Sequence, residues 1–330
     1  MSLKSGNFPF VIGKRFTPHV ANVIFNMLDK QALVKSRSVS SVWKDVVDSQ
    51  TSLWTDPALY IWAAYEGELD ICQKIIERVD NKNPSVGELP ANSVYGRTTQ
   101  CNSTPLHMAA MHGHVQICRL IMGHLEDKNP KNIFGDENTP LHETSTIEVF
   151  QLIMGETADK NPKNKRGRTP LHACATFGPI DICQLILETV DGKERNPADE
   201  EGTTPLHLAA RNGKIDIFRL IFEHVSEKNP ADAEGNTPLH YAATHNERYA
   251  GASHKFYLDI CQLILDNVVD KHPLNNLGHT PLDLTRGLEQ DEEPNENEWH
   301  TRFWVKLSDE ERLEVENLWQ SYEEEQELAE

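Results

Sequence analysis

Six times along the 330-residue chain nearly the same words recur: "STPLHMAAMHG" from Ser103, "NTPLHETST" from Asn138, "RTPLHACATFG" from Arg168, "TTPLHLAARNG" from Thr203, "NTPLHYAATHN" from Asn236 and "HTPLDLTRG" from His279. The threonines fall at Thr104, Thr139, Thr169, Thr204, Thr237 and Thr280, at intervals of 35, 30, 35, 33 and 43 residues. An active site is built once. Six copies at a near-constant period predict a structural unit stacked on itself.

The copy at Thr204 can be read as chemistry. Threonine then Pro205 fits a helix N-cap followed by proline at the first helical position. His207 stands where a capping box carries a polar side chain that reaches back to the cap. Ala209 and Ala210 are small enough for helices to approach closely, and Gly213 ends a helix of about two turns. A second helix follows in "IDIFRLIFEHV" from Ile215, with Ile217, Leu220, Ile221 and Val225 on one face. "SEKNPADAEGN" then reads as a turn. Such a helix pair cannot bury its apolar face alone, so the array is the folding unit. In the copy at Thr169, His172 and Cys174 have the look of a base and a nucleophile. The position of Cys174 is alanine at Ala109, Ala209 and Ala242, however, so it reads as a small core residue.

This pattern resembles the ankyrin repeat in its period and its Thr-Pro-Leu-His-x-Ala-Ala signature. The resemblance covers residues 56 to 288, about seven units, the last truncated. An early copy, "LYIWAAYEGELDICQKII" from Leu59, lacks the signature but keeps Ala63-Ala64, Gly67 and Ile71-Cys72, and an insertion of roughly 85 to 102 follows it. The resemblance implies an all-α solenoid of helix pairs with short hairpin turns. It also implies that His107, His142, His172, His207 and His240 hydrogen-bond within and between repeats; one histidine per repeat does not surround a metal ion. Two units depart from the pattern. The one at Thr139 is three residues short and lacks the Ala-Ala and the glycine, and the one at Thr237 carries about ten extra residues, "NERYAGASHK".

Residues 1–15 read as a tail. The stretch from 16 to 55 does not share the period of the array. It contains Thr17-Pro18 as a helix start, then Val20, Ile24, Phe25 and Leu28, then Leu33, Val39, Val42 and Trp43 as apolar faces of short helices. About 40 residues make too small a core to stand alone. This stretch resembles an F-box, on Ile24-Phe25, Leu28-Asp29, Leu33, Arg37, Val39-Ser40, Trp43 and Leu53-Trp54. The family opens with Leu-Pro and an acidic residue; here Phe16-Thr17-Pro18-His19 stands in that place. The resemblance implies a substrate receptor: Phe16, Pro18, Ile24, Leu28, Leu33, Val39 and Trp43 would meet the Skp-family adaptor of a cullin-RING ubiquitin ligase, while the repeats hold a target. The alternative is an ankyrin scaffold whose first helices are only a cap. Either way the chain performs no bond chemistry and uses no cofactor or metal.

Composition narrows the rest. The formal charge is −19, of which −13 lies after residue 287. Clustered lysine and arginine, which nucleic-acid binding needs, are missing from such a pattern. No apolar run reaches the ~18 residues of a membrane span, and the apolar patch near the start is too short for a signal peptide. Cys72, Cys118, Cys183 and Cys261 recur at one repeat position and read as reduced core residues of a cytoplasmic or nuclear protein. The acidic segment 289–330 holds a capping box, Ser308 with Glu311, ahead of Leu313, Leu318, Trp319 and Tyr322 on one predicted helical face that covers the last repeat.

The expected target surface is the concave side, lined by turn tips and first helices. The tips offer Ile133 and Phe134, then Lys165, Arg166 and Arg168. The first-helix ends add Met111, Phe177 and Arg211. Apolar and basic tips side by side would suit an acidic, partly apolar protein segment.

Overall fold

In a computed structural model, the described residues are 57–85, 103–132, 135–244, 253–285 and 307–329. Among them the regular structure is helical throughout, and the chain is an all-α solenoid. First helices alternate with second helices. They are α1 (Pro57–Glu66) and α2 (Leu69–Ile76), α3 (Pro105–Met111) and α4 (Val115–Met122), α5 (Pro140–Glu143) and α6 (Ile147–Glu156), α7 (Pro170–Phe177) and α8 (Ile180–Thr189), α9 (Pro205–Arg211) and α10 (Ile215–His224), and α11 (Pro238–Ala243) and α12 (His254–Leu265). Next come α13 (Pro281–Thr285) and a long α14 (Asp309–Ala329). Each first helix packs on the next first helix, and each second helix on the next second helix, so two parallel rows form one continuous core.

The sequence explains each pair. The Thr-Pro start sets an extended N-cap: Thr104, Thr139, Thr169, Thr204 and Thr237 all have φ near −100° and ψ near 165°. The paired alanines Ala109-Ala110, Ala209-Ala210 and Ala242-Ala243 are buried where first helices meet. Second helices bury a stripe of four: Ile217, Phe218, Ile221 and Phe222 in α10, and Ile117, Cys118, Ile121 and Met122 in α4. Leu220 and Val225, read from the sequence as part of that stripe, only flank it.

Three units depart from the regular pair. In the short unit, α5 is a single turn, because Thr144-Ser145-Thr146 replaces the small residues and glycine of its siblings. In the long unit, the end of the insertion folds into α12, which begins at His254. The seventh unit is the third case. Its α13 packs on α11, as a first helix should, and α14 packs on both α13 and α12. Those are the contacts of a second helix, so α14 fills the position that the truncated repeat leaves open. Val315 and Trp319 are buried there, and the Trp319 indole N–H donates to the Lys271 carbonyl at 3.0 Å. The capping box is present: Ser308 N–H and Oγ both donate to Glu311 Oε2, at 2.9 and 2.6 Å. Leu313, expected on the buried face, is 55 % exposed, and Val315 takes its place.

Candidate interaction surface

The Thr-Pro-Leu-His box latches consecutive units together. Within its own unit, Thr204 N–H donates to His207 Nδ1 at 3.1 Å, and the threonine hydroxyl lies 2.9 Å from the same nitrogen. Nδ1 is therefore the acceptor, which leaves the proton on Nε2. That proton points at the carbonyl of Asn236 in the next unit, 3.1 Å away. The same crossing joins His107 to Asn138, His142 to Arg168, His172 to Thr203 and His240 to His279. Burial pushes all five imidazoles down to about 4, so each is neutral and held in one tautomer.

A second connector escaped the sequence reading. Lys-Asn-Pro, or a near copy, recurs at 82–84, 128–130, 160–162, 195–197, 228–230 and 271–273. The lysine folds back onto the end of the second helix; Lys128 Nζ donates to the Met122 and Leu125 carbonyls. There it meets unpaired carbonyls and the negative end of the helix dipole. The asparagine reaches forward: Asn129 Oδ1 accepts from Leu141 N–H at 3.1 Å, and Asn83, Asn196 and Asn229 do the same for Leu106, Leu206 and Leu239. The signal is periodic and visible in the sequence, but it lies within stretches whose Asn, Asp, Pro and Gly read simply as a turn.

Between the units the hairpins stand side by side. Lys165 N–H donates to the Asp136 carbonyl, Glu200 N–H to Arg166, Ala233 N–H to Glu201 and Asn276 N–H to Glu234, at 2.7 to 3.0 Å. Four necks are closed by Asn164, Asp199, Asp232 and Asn275, whose side-chain oxygen takes two backbone N–H groups, as Asp199 does from Glu201 and Thr203. The turning residue is glycine at φ near +75°, Gly167 and Gly202 among them, a conformation that costs a side chain dearly.

The expected target residues do not form one basic patch. Arg166 is paired with Asp136 at 2.9 Å, and Arg168 with Asp199 at 2.8 Å. Stacking brings each arginine against an acid one unit away, a pairing the linear sequence does not display. Lys165 is exposed and makes no ion pair among the described residues. Phe177 is 85 % exposed and Met111 37 %, while Arg211 is half-buried and its carbonyl accepts from the Tyr257 hydroxyl. These three lie at the far ends of first helices, a helix length of roughly 10 Å from the tips. Ile133 and Phe134 lie outside the described residues, as do Phe16, Pro18, Ile24, Leu28, Leu33, Val39 and Trp43.

A thiol–imidazole site is not assembled. Both ring nitrogens of His172 are committed, to Thr169 and to the Thr203 carbonyl. A hydrogen bond with the Cys183 thiol, together with burial, pushes the Cys174 thiol up, away from the reactive thiolate.

A family model described as "Ankyrin repeats" matches residues 60–145, 143–232 and 192–251, and one described as "Ankyrin repeat" matches 234–276. The chain is an ankyrin-repeat protein. No curated protein matches it. The matches begin at residue 60, so the segment 16–55 stands outside them. As an ankyrin array, the chain is a protein-interaction module. Its row of tips and first helices presents side chains that the latches, hooks and core leave uncommitted.

Proposed function

We propose that this chain is the substrate receptor of a Skp–cullin–F-box ubiquitin ligase, a non-enzymatic adaptor of the cytoplasm or nucleus. The segment 16–55 engages a Skp-family adaptor, and the ankyrin array captures the target. One observation carries the reading: an aperiodic apolar stretch with Leu28-Asp29, Trp43 and Leu53-Trp54 stands immediately ahead of an interaction array. Five first helices held by buried latching histidines give that array a fixed surface on which to hold a target.

The test is co-elution of the purified full chain with a Skp-family adaptor. Leu33→Asp should abolish co-elution and leave thermal unfolding of the repeats unchanged, because interfaces concentrate energy in a few apolar anchors. If the unsubstituted chain never co-elutes with the adaptor, the chain is an interaction scaffold without a ligase role.

A further inference from the structure

The ladder of hairpins has an open end. At each boundary a tip N–H donates to the carbonyl of the preceding tip: Glu200 to Arg166, Ala233 to Glu201 and Asn276 to Glu234, at 2.9 to 3.0 Å. The carbonyl offered belongs each time to the second residue after the neck Asn or Asp. In the last hairpin, closed by Asn275, that residue is Leu277. Among the described residues no N–H reaches its carbonyl. The glycines mark the same boundary. A β-carbon at Gly202 would lie 2.8 Å from the Ala233 nitrogen, and one at Gly235 2.8 Å from the Asn276 nitrogen, because the next hairpin passes there. A β-carbon at Gly278 would meet nothing within 4 Å.

Native folds guard an exposed backbone edge with charge, which discourages pairing with another chain. The interior tips carry charge at the position of Leu277, as Arg166, Glu201 and Glu234, although their carbonyls are already paired. The open tip reverses this. Leu277 is 69 % exposed, and Leu274, just before the neck, is 65 % exposed. Helix α14 completes the seventh unit by packing on α12 and α13, and it leaves both leucines in solvent. A free carbonyl on a rigid hairpin, flanked by apolar side chains, is what strand addition uses: the backbone bond gives affinity and the side chains give selectivity.

We propose that the open edge of the last hairpin captures an extended, apolar segment of the target, which continues the ladder by donating a backbone N–H to the Leu277 carbonyl and packing on Leu274 and Leu277. This deepens the target-capture reading and rests on it. The register of the ladder argues for the occupant, because the bond left open is the one that every interior boundary makes. A second copy of the chain is a poor supplier: the tip N–H groups of Lys165, Glu200, Ala233 and Asn276 are already engaged within their own array. The expected chemistry of the target changes with this. Arg166 and Arg168 are paired to Asp136 and Asp199, so at this edge the target is selected by extended backbone and apolar side chains rather than by acidity.

The test is a random-sequence peptide display library selected against the full chain, with the selected peptide resynthesised as the probe. Leu277→Glu installs the residue that the sibling tips carry at Glu201 and Glu234, so thermal unfolding should not change. Peptide binding should weaken by roughly 10-fold or more, the scale of one hydrogen bond and one apolar contact. N-methylation of the peptide, one residue at a time, removes a single backbone N–H. One position should reproduce the loss on the unsubstituted chain and add little on Leu277→Glu, the overlap expected of direct contact. Undiminished binding to Leu277→Glu, or a scan without a sensitive position, overturns the edge. If the same peptide is lost on Phe177→Ala instead, target capture stands and lies elsewhere on the array. If no peptide is selected at all, target capture falls, and the edge with it. A dimer in sedimentation that Leu277→Glu dissociates would make a second copy the occupant and overturn the assignment to a target. Adaptor co-elution should be the same for both chains, so failure at this edge leaves the ligase reading to its own test.

Discussion

His207 donates from Nε2 to the carbonyl of Asn236, 3.1 Å away across the boundary between two units. That bond requires a neutral ring, because Nδ1 is already occupied as an acceptor from Thr204 N–H. Protonation would place a second N–H against a donor in a buried site.

The consequence is a pH dependence with a definite sign. The five latching imidazoles titrate at about 4 in the fold, against an ordinary value near 6.5 in the unfolded chain. The unfolded chain therefore binds protons that the native one refuses, and stability falls as pH drops from about 6.5 toward 4. At about 1.4 kcal/mol per unit for each ring, five rings lose on the order of 10 kcal/mol by pH 5, comparable with a whole domain's stability. Thermal unfolding followed by circular dichroism should show Tm dropping steeply between pH 6.5 and 5. A flat profile would contradict the latch.

Glu143 moves the other way. Its folded value is raised to about 7, so its contribution is favourable below the ordinary carboxylate range and is lost as pH rises through 7. Glu143→Gln should stabilise the free chain by about 1–3 kcal/mol at pH 8 and by almost nothing at pH 4.5. Urea midpoints of the two chains at both pH values measure this.

The two arginines of the hairpin closed by Asn164 should differ sharply. The Asp199 side chain is 1 % exposed, so Arg168→Ala leaves a buried carboxylate with its two backbone N–H bonds but no counter-ion and should cost about 2–3 kcal/mol. Arg166 and Asp136 are 55 % and 44 % exposed, so Arg166→Ala should cost under about 1 kcal/mol. Equal losses in chemical denaturation would show that the burial of Asp199 does not matter.

Trp319 is the anchor of α14. Trp319→Ala removes a buried indole and its bond to the Lys271 carbonyl, and should cost about 3–5 kcal/mol at that end of the array. Because solenoid units touch only their neighbours, amide exchange should rise in α14, α13 and α12 and stay unchanged from α3 to α8. Uniform loss of protection would mean that the whole array unfolds as one.

Cys174→Ala installs the residue that three sibling units already carry at Ala109, Ala209 and Ala242. The expected change is below about 1.5 kcal/mol, as for a small core truncation, with target capture intact. Calorimetry and a capture assay check the two halves separately.

The all-α solenoid was legible because its determinants are local. A threonine cap, a proline at the first helical position, paired alanines and a four-residue apolar stripe act within one unit, and their recurrence at 104, 139, 169, 204 and 237 announces the stacking. The Lys-Asn-Pro hooks were equally local and could have been read from the same period. What only the tertiary structure decided concerns pairs about thirty residues apart or more. Asp136 neutralises Arg166, Asp199 neutralises Arg168, and α14 completes a repeat whose first helix ends at Thr285. Period specifies which units stack. The charge on a stacked surface depends on which side chains meet across each boundary, and those meetings are set by packing geometry rather than by distance along the chain.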